Sequence, residues 1–279
     1  MIDYYARVAE AMVPHLKGRP ITLRRFPNGV GDERAFFEKR CPEHRPSWVK
    51  TTKVYVSAKH GKVDFCRCED RATLVWMAQL AALELHPSLS LGRAIKRPTI
   101  LAFDLDPGPP AALLECCRVA LRLRELFDAL GLESFPKTSG GSGLQVYVPL
   151  NNPKASYDQT KPFAQAVAQL LEKQTPGEVV SQMKKELRKG KVFVDWSQND
   201  EHKTTIAVYA LRARERPTVS TPLEWKEVEK AVRANDAEPL RFEFGPLLKR
   251  LQKKGDLFAP VLELEQKLPK LAGLAAAAD

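Results

Sequence analysis

No apolar run in the chain approaches the roughly 20 residues that a membrane-crossing helix needs. The opening MIDYYARVAEAMVPHL carries acids early. It lacks the apolar stretch and small-residue cleavage site of a secretory signal, so a cytosolic protein is expected. Cysteine is scarce, at five in 279 residues, and irregularly placed: Cys66 and Cys68 are one residue apart, and Cys116 and Cys117 are adjacent. The paired C-x-x-C spacing of a structural zinc site is missing. A chain this long does not depend on a disulfide scaffold, so the expectation is buried, reduced thiols. There is no internal repeat and no composition typical of collagen, coiled coil or wholesale disorder. What is present is ordinary for a globular protein, with 44% hydrophobic and 28% charged residues. The length allows one large domain or two small ones. The net charge of +10 favours a polyanionic partner, nucleic acid first and an anionic membrane second.

Periodicity predicts a helix over 1–17, closed by Gly18-Arg19-Pro20, then a strand over 21–26 and a proline- and glycine-rich loop. Residues 30–52 read as irregular. Two short strands, 53–57 and 62–68, form a hairpin across Ala58-Lys59-His60-Gly61. A helix is expected over 71–85, ending at His86-Pro87. A buried strand through PTILAFDLD stops at the prolines and glycine of PGPP, and a strong helix follows over 111–130. The segment 135–150 is a glycine-rich loop feeding an alternating strand. Helix 157–173, a basic stretch 183–191, strands 192–197 and 204–213, and helices 222–234 and 246–254 complete the reading. LAAAAD at the end resembles a frayed tail. Strands interleaved with helices give an α+β expectation, with mixed or antiparallel sheets flanked by helices. The whole of 1–279 is read as a single domain, with an N-terminal subdomain 1–98, a core 99–260 and a tail 261–279.

Asp104 and Asp106 end the apolar strand two residues apart. Side chains alternate along a strand, so both carboxylates leave the same face. Like charges so close repel, and hard divalent cations with oxygen ligands relieve this. The prolines and glycine that follow place the pair at a sheet edge open to solvent. Asp195 is a third carboxylate interrupting an apolar strand, and a buried strand tolerates such an acid poorly without a partner. Three strand-borne aspartates converging on one spot suit two-metal phosphoryl transfer. The run Thr138-Ser139-Gly140-Gly141-Ser142-Gly143 allows backbone N–H groups to approach an anion. It is not a P-loop, since no Lys-Ser/Thr follows at the required spacing, and no helix follows as in a dinucleotide fingerprint. A plain hairpin turn and a triphosphate cradle both fit. Phe36 and Phe37 beside Lys39 suit either core packing or stacking with a phosphate contact. Lys184, Lys185, Arg188, Lys189 and Lys191 form a basic run that is either a solvated face or a phosphate contact.

Taken in order, GRPITLRRFPNGV, AFFEKRCPEH, LELHP, LAFDLDPGP, FPKTSGGSGLQVYVPL, VFVDWSQND, YALRAR and VSTPLEW resemble the polymerase domain of bacterial ligase D and its stand-alone relatives. These belong to the archaeo-eukaryotic primase superfamily, and the resemblance runs from about residue 4 to 255. It implies a primase-type catalytic core in which Asp104, Asp106 and Asp195 are catalytic and hold two Mn²⁺ or Mg²⁺ ions. It implies that Ser139 and Gly140 meet the incoming triphosphate, with Gln145, Arg212 and His86 on nucleotide. Phe36, Phe37 and Lys39 fall near a DNA template strand. The implied activity is template-dependent addition of nucleotides, with a preference for ribonucleotides, to primer ends at gapped or broken DNA bearing a 5′-phosphate. The implied substrates are NTPs or dNTPs, the implied partners a DNA ligase and a Ku-type end-binding protein, and the implied place the nucleoid. Two positions depart from the family pattern: Ser142 stands where a basic residue is usual, and Gln145 where a histidine is usual. A non-catalytic module that holds DNA ends or gaps is the alternative, and a two-metal nuclease a third reading.

Overall fold

The computed structural model describes residues 1–31, 34–271 and 274. In chain order its elements are α1 (Ile2–Leu16), β1 (Ile21–Arg25), β2 (Phe36–Glu38), β3 (Thr51–Ser57), β4 (Gly61–Cys66), α2 (Arg71–Gln79) and β5 (Ala82–Pro87). There follow β6 (Ile100–Pro107), α3 (Leu113–Ala129), β7 (Phe135–Thr138), β8 (Leu144–Pro149), α4 (Tyr157–Gln174), β9 (Val179–Val180) and β10 (Val192–Asp195). The last helices are α5 (Trp225–Ala234), α6 (Phe244–Lys254) and α7 (Pro260–Glu263). The fold is α+β, with mixed and antiparallel sheets flanked by helices.

The chain divides into two compact units. One comprises Met1–Lys96, Glu201–Ser220 and Phe242–Asp256; the other comprises Arg97–Asp200, Thr221–Arg241 and Leu257–Asp279. Segments 201–220 and 242–256, expected within the 99–260 core, group instead with the N-terminal part. The cause lies in long-range hydrogen bonds. The Tyr4 hydroxyl donates to Tyr209 O at 2.7 Å, Leu211 N–H donates to the Tyr5 hydroxyl at 3.2 Å, and His15 meets Asp256 at 2.7 Å.

In the first unit, β1 pairs antiparallel with β2, β4 and β5, and β3 extends the sheet from β4. Tyr5, Val8, Met12 and Leu16 recur at helical spacing and are the buried stripe of α1. The helix expected over 71–85 stops at Gln79. Asp70 caps its start by accepting from Thr73 N–H at 2.8 Å, and Ala81 at φ 60° ends it. The chain then runs as β5 along β1. Ala82, Leu83, Glu84 and Leu85 are all buried, so the strand shows no alternation to distinguish it from a buried helix. The strand expected over 204–213 is extended chain rather than a ladder strand. Thr205 and Ala207 donate to Pro87 O and Leu85 O, but Tyr209 sits at φ 65° and breaks any regular pairing. The expectation that all cysteines are reduced is also overturned. Cys41 N–H donates to Asp64 O at 2.7 Å, which lays the loop after β2 against β4, and Cys41 and Cys66 form a disulfide with Cα atoms 4.8 Å apart. Cys68, Cys116 and Cys117 are free and buried, and burial pushes the Cys117 thiol up to about 12.

In the second unit the strand order is β7-β8-β6-β10-β9. All pairings are antiparallel except β9 with β10. Phe103 packs on Phe127 of α3 with ring centroids 5.4 Å apart, and the Cys116 thiol of α3 donates to Leu105 O. Each fully buried Leu or Phe on this face contributes about 1.5–3 kcal/mol. Alternation therefore sends Asp104 and Asp106 to the face away from α3. Strand β6 lies in the interior of the sheet, so the acid pair occupies a strand end and not the sheet edge expected from the prolines. Part of the 261–279 tail is fixed: Gln266 accepts from Glu133 N–H at 2.7 Å and donates to Glu133 O and Pro149 O. Apart from Leu274, the LAAAAD end lies outside the described residues.

Candidate active site

Strand register in the second unit sets four side chains in one row. Lys137 on β7 pairs with Gln145 on β8, Gln145 with Asp104 on β6, and Asp104 with Asp195 on β10. Directly paired residues share a face, so the row runs cation, amide, carboxylate, carboxylate. Asp106 lies two residues further along, opposite Phe193. The Asp104 carboxyl is pushed up to about 7, first by burial and then by the charges of Asp106 and Asp195; a hydrogen bond from Gln145 and the charge of Lys137 oppose the rise. Its Oδ1 is buried and has no hydrogen-bond partner. A buried, orphaned carboxylate oxygen beside a second acid is suited to a hard divalent cation, and Asp104 with Asp106 fits one.

Asp195 is neighbour to this pair in register, but its carboxylate is engaged elsewhere. Oδ1 accepts from Ser197 N–H at 2.9 Å and the Ser197 hydroxyl at 2.6 Å, and Oδ2 accepts from Gln198 at 2.9 Å. Among the described residues, no three acidic, histidine or cysteine side chains are gathered as one metal cluster. The three aspartates thus lie together in strand placement and in charge, with Asp195 held by Ser197 and Gln198.

The glycine-rich run is the turn of the β7–β8 hairpin. The Ser139 hydroxyl donates to Gly143 O at 3.0 Å and accepts from Gly141 N–H at 3.1 Å and Gly143 N–H at 3.3 Å. This hydroxyl shapes the turn. Gly140 takes φ 69°, a conformation that only glycine adopts at little cost. A Cβ on Gly143 would lie 2.2 Å from Leu105 O, so the loop must have glycine there to close on β6. Arg241 donates to Gly141 O at 2.9 Å. In the basic run, the Arg188 guanidinium stacks 3.8 Å over the Phe193 ring, Lys191 donates to Pro176 O, and Lys184, Lys185 and Lys189 are exposed.

In the first unit a second cluster forms where β1, β2 and β5 lie side by side. Arg24 pairs with both Phe37 and Glu84, and Thr22 with His86. Glu84 is buried. It meets His86 Nε2 at 3.0 Å, Arg24 Nη1 at 3.3 Å and Arg212 Nε at 3.2 Å, and it accepts from Ala213 N–H at 3.1 Å. Burial alone would raise the Glu84 carboxyl. The His86 hydrogen bond, the Arg212 charge and the Ala213 N–H outweigh it and bring the group down to about 2. Burial lowers the His86 imidazole, against the pull of Glu84. Phe37 meets His86 edge-on at 5.4 Å and lies under Arg24 at 5.3 Å. Phe37 is 60% exposed and Phe36 41%, so neither is core packing, and Lys39 is exposed beside them.

Of the residues expected to act, Asp104, Asp106, Asp195, Ser139, Gly140 and Gln145 share the second unit, and His86, Arg212, Phe36, Phe37 and Lys39 share the first. Glu84, Arg24 and Lys137 escaped the sequence reading. The signal for Glu84 was an acid two residues before a histidine in a buried run. Lys137 is fully buried, and nothing local in FPKTSG announces that.

Residues 1–258 match the model of the LigD primase-polymerase domain family. The chain is 43% identical over 263 residues to a multifunctional non-homologous end joining protein LigD of Mycolicibacterium smegmatis, covering 94% of this chain and 33% of that one. It is 32% identical over 254 residues to the bifunctional LigD of Bacillus subtilis, covering 91% of this chain and 39% of that one. It therefore spans about a third of these relatives' length. Among solved structures it superposes on the polymerase domain of Mycobacterium tuberculosis ligase D in complex with DNA. That match has a TM-score of 0.84 and 39% identity, covering 95% of this chain and 92% of that one. The family match spans the segments that carry the acid row and the Glu84 cluster, and the chain belongs to the LigD primase-polymerase domain family within the archaeo-eukaryotic primase-polymerase superfamily.

Proposed function

We propose that the chain is a primase-polymerase-type nucleotidyltransferase of DNA repair, extending primer 3′-ends on a DNA template at gaps or breaks. Family membership supports this reading, and one observation carries it: the Asp104–Asp106 pair shares one strand face, with a buried Asp104 oxygen that lacks a protein partner. Asp104 and Asp106 would hold divalent cations, with Asp195 joining them on release from Ser197 and Gln198. Bound Mn²⁺ or Mg²⁺ would supply Lewis-acid stabilisation of charge on the transferring phosphoryl group. In the reaction the primer 3′-hydroxyl gives up its proton to solvent, its oxygen bonds to the α-phosphorus, and the bond from that phosphorus to the α–β bridging oxygen breaks, so that pyrophosphate departs. Arg24, Arg212 and His86 bind and orient the triphosphate, Gln145 orients Asp104, and the Ser139–Gly143 turn keeps the hairpin against β6. Phe36, Phe37 and Lys39 meet the template strand by stacking and phosphate contact. Ribonucleotide preference, recognition of a 5′-phosphate, and cooperation with a DNA ligase and a Ku-type end binder belong to the same proposal.

One observation favours the non-catalytic end-binding alternative: the Asp195 carboxylate is fully engaged by Ser197 and Gln198. Primer extension on a gapped duplex with a 5′-phosphate separates the readings. NTPs and dNTPs are compared with Mn²⁺ and with Mg²⁺. The expected result is incorporation that drops at least about a hundredfold in Asp104→Ala. Binding of the duplex without incorporation under either metal would support the end-binding module.

A further inference from the structure

The first unit buries one carboxylate beneath three basic groups, an arrangement that a structural ion pair does not require. The Glu84 side chain is 1% exposed, whereas Arg24 is 33%, Arg212 21% and His86 12% exposed. The acid is thus the inner end of the cluster and the basic groups are its outer ends. Two guanidiniums against one carboxylate leave a positive surplus on the accessible side before His86 is counted. Without the shared anchor the two arginines would repel each other, since among the described residues Glu84 is the acid set against both. The three groups come from separate places in the sequence: Arg24 from β1, His86 from β5, and Arg212 from the extended segment after residue 204. Ala213 N–H adds a fourth contact, which fixes the backbone that carries Arg212.

We propose that Glu84 is a positioning residue for the incoming nucleotide, a buried carboxylate that aims Arg24, Arg212 and His86 together at the triphosphate. This rests on the reading that Arg212 and His86 bind nucleotide. Glu84 itself touches no substrate and acts through the groups it holds. The low proton affinity of Glu84 agrees with a carboxylate that stays charged throughout the working range, so that the anchor does not switch off. Arginine suits the role because each meets the anchor through one nitrogen, Arg24 through Nη1 and Arg212 through Nε, and the guanidinium carries further N–H groups suited to phosphate.

The test is calorimetric titration of a nucleoside triphosphate into wild-type protein and the variants Glu84→Gln, Arg24→Gln, Arg212→Gln and the two double variants with Glu84→Gln. Thermal unfolding confirms that each protein is folded. Glu84→Gln is expected to weaken nucleotide binding by about tenfold or more, and Glu84→Asp by less. Each arginine variant is expected to weaken binding in the wild-type background and to add little in the Glu84→Gln background, because the anchor is already gone. The His86 imidazole, followed by NMR, should titrate at lower pH in Glu84→Gln, where the pull of the carboxylate is lost and both arginines remain. Unchanged nucleotide affinity in folded Glu84→Gln protein, or fully additive losses, would overturn the positioning role. If Arg24→Gln and Arg212→Gln each bind nucleotide like wild type, the underlying assignment of this cluster to nucleotide fails instead. Should Glu84→Gln not fold, the same comparison is made on Glu84→Asp.

Discussion

At the scale of single residues, Asp104 links the chemistry to pH. Its carboxyl is raised from the ordinary carboxylate range to about 7, so between about pH 4 and pH 7 the folded state binds a proton that the unfolded chain has lost. Stability of the metal-free protein therefore falls as pH rises through that window. The penalty is fully present above pH 7 and is on the order of a few kcal/mol. Asp104→Asn removes it. In the presence of a chelator, the variant is expected to melt above the wild type at pH 8, with the gap closing toward pH 5; parallel melting curves at all pH values would contradict the assignment. The acids were legible in the sequence because carboxylates interrupting apolar strands are unusual whatever the register. Lys137, Arg24 and Glu84 were not legible, because their meaning comes from pairing across strands, and the sequence does not print register. Glu84 in particular carried a local signal, an acid two residues before His86, but it lay in a stretch read as the end of a helix, where an acid is ordinary.

At the scale of elements, the hairpin β7–β8 is held to β6 by an absence of side chain. Gly143→Ala would place a methyl group 2.2 Å from Leu105 O, so backbone must move. A loss of about 2–3 kcal/mol in denaturant unfolding is expected, together with reduced primer extension as the Asp104–Gln145 register loosens. Unchanged stability would mean that the hairpin has a second resting position. Elements with amphipathic periodicity, such as α1, α3 and α4, were read close to where they lie. The misreadings share a cause: in 80–87 burial on both sides erases the period of two, and in 204–213 a single left-handed residue, Tyr209, prevents an apolar run from joining a ladder. The disulfide was invisible for a related reason, since Cys41 and Cys66 meet only after β4 has folded back beside the loop that follows β2.

At the scale of the molecule, the α+β class and the assignment of the chain to its family were legible, while the division into units was not. The first unit is assembled from three separated stretches of chain, and its interior includes Tyr209, Leu211 and Asp256 as partners of α1. A fragment of residues 1–96 is accordingly expected to lack a cooperative thermal transition, and adding peptides of 201–256 in trans is expected to restore little of it. A sharp melting transition for 1–96 alone would show that the later segments are accessory. The same interleaving sets a timetable during synthesis. Helix α1 leaves the ribosome ahead of the rest of its unit, yet the backbone carbonyl that receives the Tyr4 hydroxyl emerges some two hundred residues later. At about 5–20 residues per second, the nascent N-terminal sheet waits on the order of ten seconds or more with the Tyr4–Tyr5 face uncovered. That interval is when the chain is most open to capture by holding chaperones, and also when both cysteines of the later disulfide are already made.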